Sequence, residues 1–294
     1  MDGVGENEGH LERLGLDDVR APSLIASEHL HRYELAARLC DGLRVADVCC
    51  GTGYGTRLLS ESGADTVGID TSEEAIAEAR SGAGAAGDVE FELADALAYL
   101  ERDLAGSVDA IVMFEGLEHL PDLDRAVAAL RRQAGAGVRL AVSIPNSRVL
   151  GEQDDPFHET DFDHERAVAT LRGLGDDVTL LCQFLAEGSL IRAEGEGGAE
   201  GELSARPVLE GRAETELASH YIGLVGFGDA AAELSTRMLF NAAPVNRAYM
   251  LELEAANGRL WDRLTELEGR LARIESSLPY RVSAPLRALL RRRR

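Results

Sequence analysis

The sequence predicts an α/β protein: a doubly wound parallel sheet with helices on both faces, followed by a long C-terminal helix. Three observations predict it. Short apolar runs alternate with helix-like stretches from about residue 43 to 185. A glycine-rich turn, "GTGYG", closes the first apolar run, and from about residue 247 the pattern changes to a heptad repeat.

Each element follows from its own residues. "RVADVCC" (44–50) reads as the first strand, and "TRLLSES" (56–62) as the helix behind its glycine turn. "DTVGID" (65–70), "DVEFEL" (88–93), "VDAIVMF" (108–114) and "VRLAVSIP" (138–145) read as the next strands. "SEEAIAEAR" (72–80), "ADALAYLERDL" (94–104) and "DLDRAVAALRRQ" (122–133) are the helices between them. "DHERAVATLRGL" (163–174) and "DVTLLCQFL" (177–185) add a helix–strand pair, and "SHYIGLVGFG" (219–228) adds one more strand. The Gly- and Glu-rich residues 192–214 interrupt the alternation and are expected to form a mobile loop. The chain thus divides into an acidic segment (1–27), an α/β domain (28–246), a coiled-coil helix (247–278) and a basic tail (279–294).

Composition narrows the function classes. A length of 294 residues allows one large domain, or one domain with an extension. The net charge of −22 argues against a nucleic-acid partner. From Met250 onward, however, ten Arg outnumber six Asp and Glu, so the tail is basic. The longest apolar runs are too short to span a bilayer, and the first residues lack an apolar signal core, so a cytoplasmic protein is expected. Cys40, Cys49, Cys50 and Cys182 fit no zinc spacing and are expected to be reduced thiols.

In an open parallel sheet, ligands bind beyond the carboxyl ends of the strands. Gly51, Gly53 and Gly55 follow the first strand, Asp70 ends the second, and Asp95 follows the third. A dinucleotide site would use G-x-G-x-x-G around a pyrophosphate. The spacing here is G-x-G-x-G, with Asp47 in front of it. An additional carboxylate repels a pyrophosphate and attracts a sulfonium or an ammonium group.

On these residues the sequence resembles the class I S-adenosylmethionine-dependent methyltransferases. "VADVCCGTGYGT" is similar to their first motif, "VGID" to the second, "ELADAL" to the third and "VMFEGLEHLPD" to the fourth. The resemblance covers roughly residues 28–185 and implies a Rossmann-like methyltransferase sheet. It also implies that Asp47, Gly51, Gly53 and Gly55 surround the methionine part of the cofactor. Asp70 would bind both ribose hydroxyls, Asp95 the adenine amine, and Ala96 would offer a backbone N–H to the ring. "EHLHRYELAARL" resembles the lead-in helix of such enzymes, and its Tyr33 is expected to close over the cofactor.

Methyl transfer to a hydroxyl needs positioning and removal of a proton, by a base or a metal. "FEGLEHL" spaces Glu115, Glu118 and His119 at i, i+3 and i+4, so a helical turn would put them on one face. His158 follows in "PFHETDF", with His164 as a competitor. Glu115, His119 and His158 are the candidate catalytic residues; together with Glu118 they would suit Mg²⁺ or Mn²⁺. The set resembles the metal site of small-RNA 2′-hydroxyl methyltransferases, whereas related small-molecule enzymes use a similar Glu-His pair without a metal. "SIPNSRVLGEQDDPFHETDF" with "LLCQFLAEGSLI" resembles methyltransferases encoded among glycosyltransferases for surface glycans, which implies a saccharide or glycan hydroxyl as acceptor. RNA 2′-O-methylation and a non-catalytic scaffold are the alternatives.

The heptad seam runs from Leu253. Leu260, Leu267 and Ile274 fall at d, and Asn257, Leu264, Leu271 and Leu278 at a. Arg263 and Arg270 at g would face Glu268 and Glu275 at e′ of a second copy, which predicts a parallel homodimer. The basic residues of "YRVSAPLRALLRRRR" are expected to contact an anionic membrane surface.

Overall fold

The computed structural model describes residues 24–81, 89–151, 156–184 and 215–235. The expected loop at 192–214, the coiled-coil helix at 247–278 with its homodimer, the basic tail and most of the acidic segment lie outside them. No helix among the described residues is long and apolar enough to cross a membrane.

The chain opens with α1 (Leu24–Cys40), β1 (Arg44–Val48), α2 (Tyr54–Glu61), β2 (Asp65–Asp70) and α3 (Glu73–Ser81). It continues through β3 (Glu90–Leu93), α4 (Ala96–Leu100), β4 (Ala110–Met113), a 3₁₀ turn (Leu117–His119) and α5 (Leu123–Gly135). Then come β5 (Arg139–Pro145), α6 (Ser147–Leu150), α7 (His164–Arg172), β6 (Val178–Gln183), a second 3₁₀ turn (Thr215–Leu217), β7 (His220–Val225) and α8 (Asp229–Ser235). The strands form one seven-stranded sheet in the order β3-β2-β1-β4-β5-β7-β6.

Alternate residues of each inner strand feed opposite faces, as the two-residue strand period demands. In β4, Ile111 and Met113 join the core beneath α4, α5 and α7 with Leu97, Leu130 and Leu171. Ala110 and Val112 join the opposite core, with Leu35 and Ala36 of α1 and Leu59 of α2. Burial on both faces explains why these strands read as unbroken apolar runs.

The sheet corrects the expectation of a purely parallel one. β7 lies between β5 and β6 and is antiparallel to both. A parallel neighbour of β6 would need a crossover, usually a helix, whereas the sequence supplies Gly- and Glu-rich residues there. The reversal aligns His220, at the start of β7, with Pro145 of β5 and Gln183 of β6. A residue from the beginning of a strand therefore joins the rim formed elsewhere by strand ends. β1 also ends sooner than expected: Cys49 is left-handed at φ 65°, and Cys49 and Cys50 belong to the turn. All four cysteines are free thiols.

Candidate active site

The strand order reverses at β1, between β2 and β4, which is where a doubly wound sheet opens a ligand crevice. The glycine turn sits there. Its Gly51 N–H donates to Asp70 Oδ2 at 2.9 Å, and the Ser72 N–H donates to Asp70 Oδ1 at 2.8 Å. Asp70 therefore holds the ends of the loops after β1 and β2 together, and each oxygen keeps further lone-pair capacity for a ligand hydroxyl. Asp95 caps α4, its Oδ1 accepting the Ala98 N–H at 2.7 Å. Ala96 opens that helix, in the turn whose N–H groups lack intrahelical acceptors. Leu93, two residues before Asp95, is an exposed apolar side chain.

The three glycines separate into two roles. A Cβ on Gly51 would meet nothing within 4 Å, so Gly51 borders open space. A Cβ on Gly53 would lie 2.4 Å from the Phe91 ring, and one on Gly55 2.0 Å from the Tyr33 ring. Gly53 and Gly55 are therefore glycines because aromatic rings press on the turn from within the domain. Tyr33, expected to close over the cofactor, packs beneath the turn. It is buried, packed edge-on against Tyr54 and Phe114, and its hydroxyl donates to Asp47 Oδ1 at 3.1 Å.

Asp47 is fully buried behind the turn, with Thr56 Oγ1 donating to its other oxygen at 2.6 Å. Both Asp47 oxygens thus accept hydroxyl donors of the domain beneath the loop. Burial pushes the Asp47 carboxyl up to about 7, outweighing the two hydroxyl donors that favour its charged form. The unfolded chain releases this proton near pH 4 and the folded chain near 7, so this group lowers stability as pH rises between those values. Thermal melts from pH 4.5 to 7.5 are expected to show Asp47→Asn gaining on the wild type across that window. The difference grows by at most about 1.4 kcal/mol per pH unit; parallel profiles would contradict the assignment.

The rim beyond β4 departs from the sequence expectation. Glu115 is left-handed, at φ 53°, and stands outside the 3₁₀ turn that holds Glu118 and His119. The one-face arrangement required a continuous helical turn, and the break in backbone conformation separates the side chains. Glu118 is buried, and its carbonyl accepts the Glu159 and Thr160 N–H groups, pinning the 156–160 loop. That loop brings His158 against His119, with ring centroids 5.0 Å apart, and the Phe157 carbonyl 3.1 Å from His119 Nδ1. His164 turns elsewhere, its Nδ1 3.1 Å from the Tyr221 hydroxyl. The proposed Glu115–Glu118–His119–His158 metal set is thus not assembled. Among the described residues, no group of three or more His, Cys, Asp or Glu is placed to hold an ion.

Glu115 instead enters a buried polar cluster that the sequence reading did not single out. Arg32, 1% exposed, places Nη2 3.3 Å from Glu115 Oε1 and donates from Nη1 to Gln183 Oε1 at 2.7 Å. Ser143 Oγ donates to the same Glu115 oxygen at 3.3 Å. His220 Nε2 lies 3.1 Å from Glu115 Oε2, and His220 Nδ1 lies 3.0 Å from Ser219 Oγ. Ser219 Oγ in turn donates to Glu28 Oε1 at 2.9 Å. Burial would raise the Glu115 carboxyl, but the Arg32 and His220 cations hold it well below the ordinary range. Burial opposes ionisation of Glu28 too, and His220 and Ser219 lower it.

His29 and Tyr54 complete the cluster towards the glycine turn. Burial, reinforced by Arg32, pushes His29 down to about 3, and burial raises Tyr54. A neutral His29 places Nδ1 2.7 Å from the Tyr54 hydroxyl. Gly116 packs against the glycine turn as well: a Cβ there would lie 3.0 Å from Cys49 Sγ. Glu115 is thus fixed beside the loop after β1, and its side chain keeps 22% exposure.

Residues 45–137 match the family model described as a methyltransferase domain. The chain is 39% identical over 106 residues to a ubiquinone biosynthesis O-methyltransferase of Bordetella avium, covering 35% of this chain and 43% of that protein. It is 28% identical over 155 residues to a probable S-adenosylmethionine-dependent methyltransferase of Mycobacterium tuberculosis, covering 51% and 54%. The chain spans about half the length of the curated relatives it matches. The structure of an S-adenosylmethionine-dependent methyltransferase from Archaeoglobus fulgidus is 20% identical, with a TM-score of 0.49 over 71% of this chain and 96% of that one.

Proposed function

We propose that this chain, whose residues 45–137 form a class I S-adenosylmethionine-dependent methyltransferase domain, transfers a methyl group to a hydroxyl oxygen of a saccharide or glycan. The cofactor supplies a methyl carbon made electrophilic by its sulfonium. The chain supplies the seat: the Gly51 turn and Asp70 on the methionine and ribose side, and Asp95 and Ala96 on the adenine side. The observation that carries hydroxyl chemistry is Glu115, an ionised carboxylate kept partly exposed beside the glycine turn by Arg32 and His220. Ionised, it is an acceptor-only group able to take a hydrogen bond from an incoming O–H. The O-methyltransferase among the relatives is consistent with oxygen as the target.

The saccharide assignment rests on the sequence between Ser143 and Phe162. Part of that stretch has a folding role: Asn146 Nδ2 donates to the Glu216 and Ala218 carbonyls and to the Tyr221 hydroxyl, joining β5 to the approach to β7. The name of the Bordetella relative supports a second reading, an acceptor in quinone biosynthesis. Incubation with labelled methyl donor against saccharide extracts and against simple catechols separates the two. Label on a sugar oxygen is expected; label confined to catechols, or to nitrogen, would overturn the saccharide reading. The heptad seam at 247–278 supports a parallel homodimer of such domains.

A further inference from the structure

We propose that Glu115 and His220 act together as the base of this reaction: Glu115 meets the acceptor hydroxyl, and His220, directly behind it, is the positioning residue that receives the proton. This rests on the hydroxyl-methylation reading above. The cluster is a hydrogen-bonded line from the cleft inward, Glu115–His220–Ser219–Glu28. Ser219 has one hydroxyl proton, for which Glu28 Oε1 at 2.9 Å and the Gln183 carbonyl at 3.3 Å are the acceptors. Ser219 Oγ is then an acceptor for an N–H on His220 Nδ1, at 3.0 Å. That fixes one ring nitrogen and leaves His220 Nε2 facing Glu115 Oε2 at 3.1 Å: two basic atoms with room for one proton between them.

The two carboxylates favour a proton in this gap, against burial and Arg32. Arg32 and Ser143 hold the other Glu115 oxygen, so the carboxylate cannot swing away. The ionisable groups facing the pair are Glu28, His29 and Arg32 from α1 and Tyr54 from α2, with His29 and Tyr54 both neutral. With the gap empty, Arg32 against Glu28 and Glu115 leaves one net negative charge; with it filled, the cluster is neutral. The two carboxylates accordingly raise His220 above its ordinary value although burial opposes this. His220 is 3% exposed, so the proton is held away from solvent, while the Glu115 side chain keeps 22% exposure.

In the transfer, the acceptor oxygen forms its bond to the methyl carbon as the carbon–sulfur bond breaks, with its electron pair remaining on sulfur. The hydroxyl proton passes to Glu115 and into the gap on His220 Nε2. The gap must be empty at the start, so the rate should rise with pH through the His220 ionisation.

The test is a ¹⁵N-histidine NMR titration of the full chain, with Glu115→Gln alongside. His220 is expected to be doubly protonated at pH 6.5 and to titrate above His29 and His31. In Glu115→Gln its midpoint should fall by at least about one unit. A neutral His220 at pH 6.5, or an unchanged midpoint in Glu115→Gln, overturns the proposal; the wild-type titration stands even if a variant fails to fold. On the hydroxyl acceptor found with labelled methyl donor, kcat should fall about tenfold per pH unit below that midpoint. His220→Gln should lose about 100-fold in kcat and the pH dependence, with S-adenosylmethionine affinity unchanged. A flat wild-type profile overturns the relay. If no hydroxyl is methylated, the function reading fails by itself and the titration still decides the pair.

Discussion

Arg32→Met is expected to lower the unfolding free energy by about 3–5 kcal/mol, the cost of breaking a buried ion pair from one side. Arg32 sits on the face of α1 turned to the sheet, 1% exposed, and ties that helix to Gln183 at the end of β6 and to Glu115 after β4. Methionine preserves most of the side-chain volume, so the loss is electrostatic. It strands the Glu115 carboxylate beside a histidine and leaves the Gln183 carbonyl without its donor. Denaturant unfolding measures it. The double variant Arg32→Met/Glu115→Gln should recover part of the loss, because the uncompensated charge is then gone. A single variant within about 0.5 kcal/mol of wild type would show that the cluster does not hold α1 in place.

The second large effect concerns the cofactor. Asp70→Ala should weaken S-adenosylmethionine binding by about 1.5–3 kcal/mol, or about 10- to 150-fold, with little change in the fold away from the turn. Two losses combine. The carboxylate that would accept the ribose hydroxyls is removed, and the Gly51 and Ser72 N–H groups lose their common acceptor. The glycine turn is then no longer fixed to the end of β2. Titration calorimetry on wild type and variant reads the difference directly, and equal affinities would move the ribose away from Asp70.

The cofactor side of the site was legible because it is local. A glycine turn after an apolar strand, an acid closing the next strand and an acid after the third fall at short spacings, and sheet topology places all of them on one rim. The order of β7 was less so, although the missing helical pattern between β6 and β7 was a signal against a parallel connection. The hydrogen bonds of Tyr33 and Asp47 were not legible, because motif spacing does not say which side of a loop a side chain occupies. Here Tyr33 and Thr56 each donate to Asp47 behind the turn. The acceptor side is long-range. Glu28 and Arg32 of α1, Glu115, Gln183 and His220 are distant in sequence and meet only through the sheet order and the reversal of β7. What could have been found is the spacing of Glu28 and Arg32, four apart on one helix face. The i, i+3, i+4 reading of Glu115, Glu118 and His119 failed at a single torsion, the positive φ of Glu115.

The central claim is that the crevice at the β1–β4 switch point is a seat for a sulfonium cofactor and not for a dinucleotide. Calorimetry of the full chain with S-adenosylmethionine and with NAD, at the same pH and ionic strength, tests it most directly. Saturable binding of one S-adenosylmethionine per chain and no heat of binding with NAD are expected; tight NAD binding with no response to S-adenosylmethionine would make the crevice a dinucleotide site.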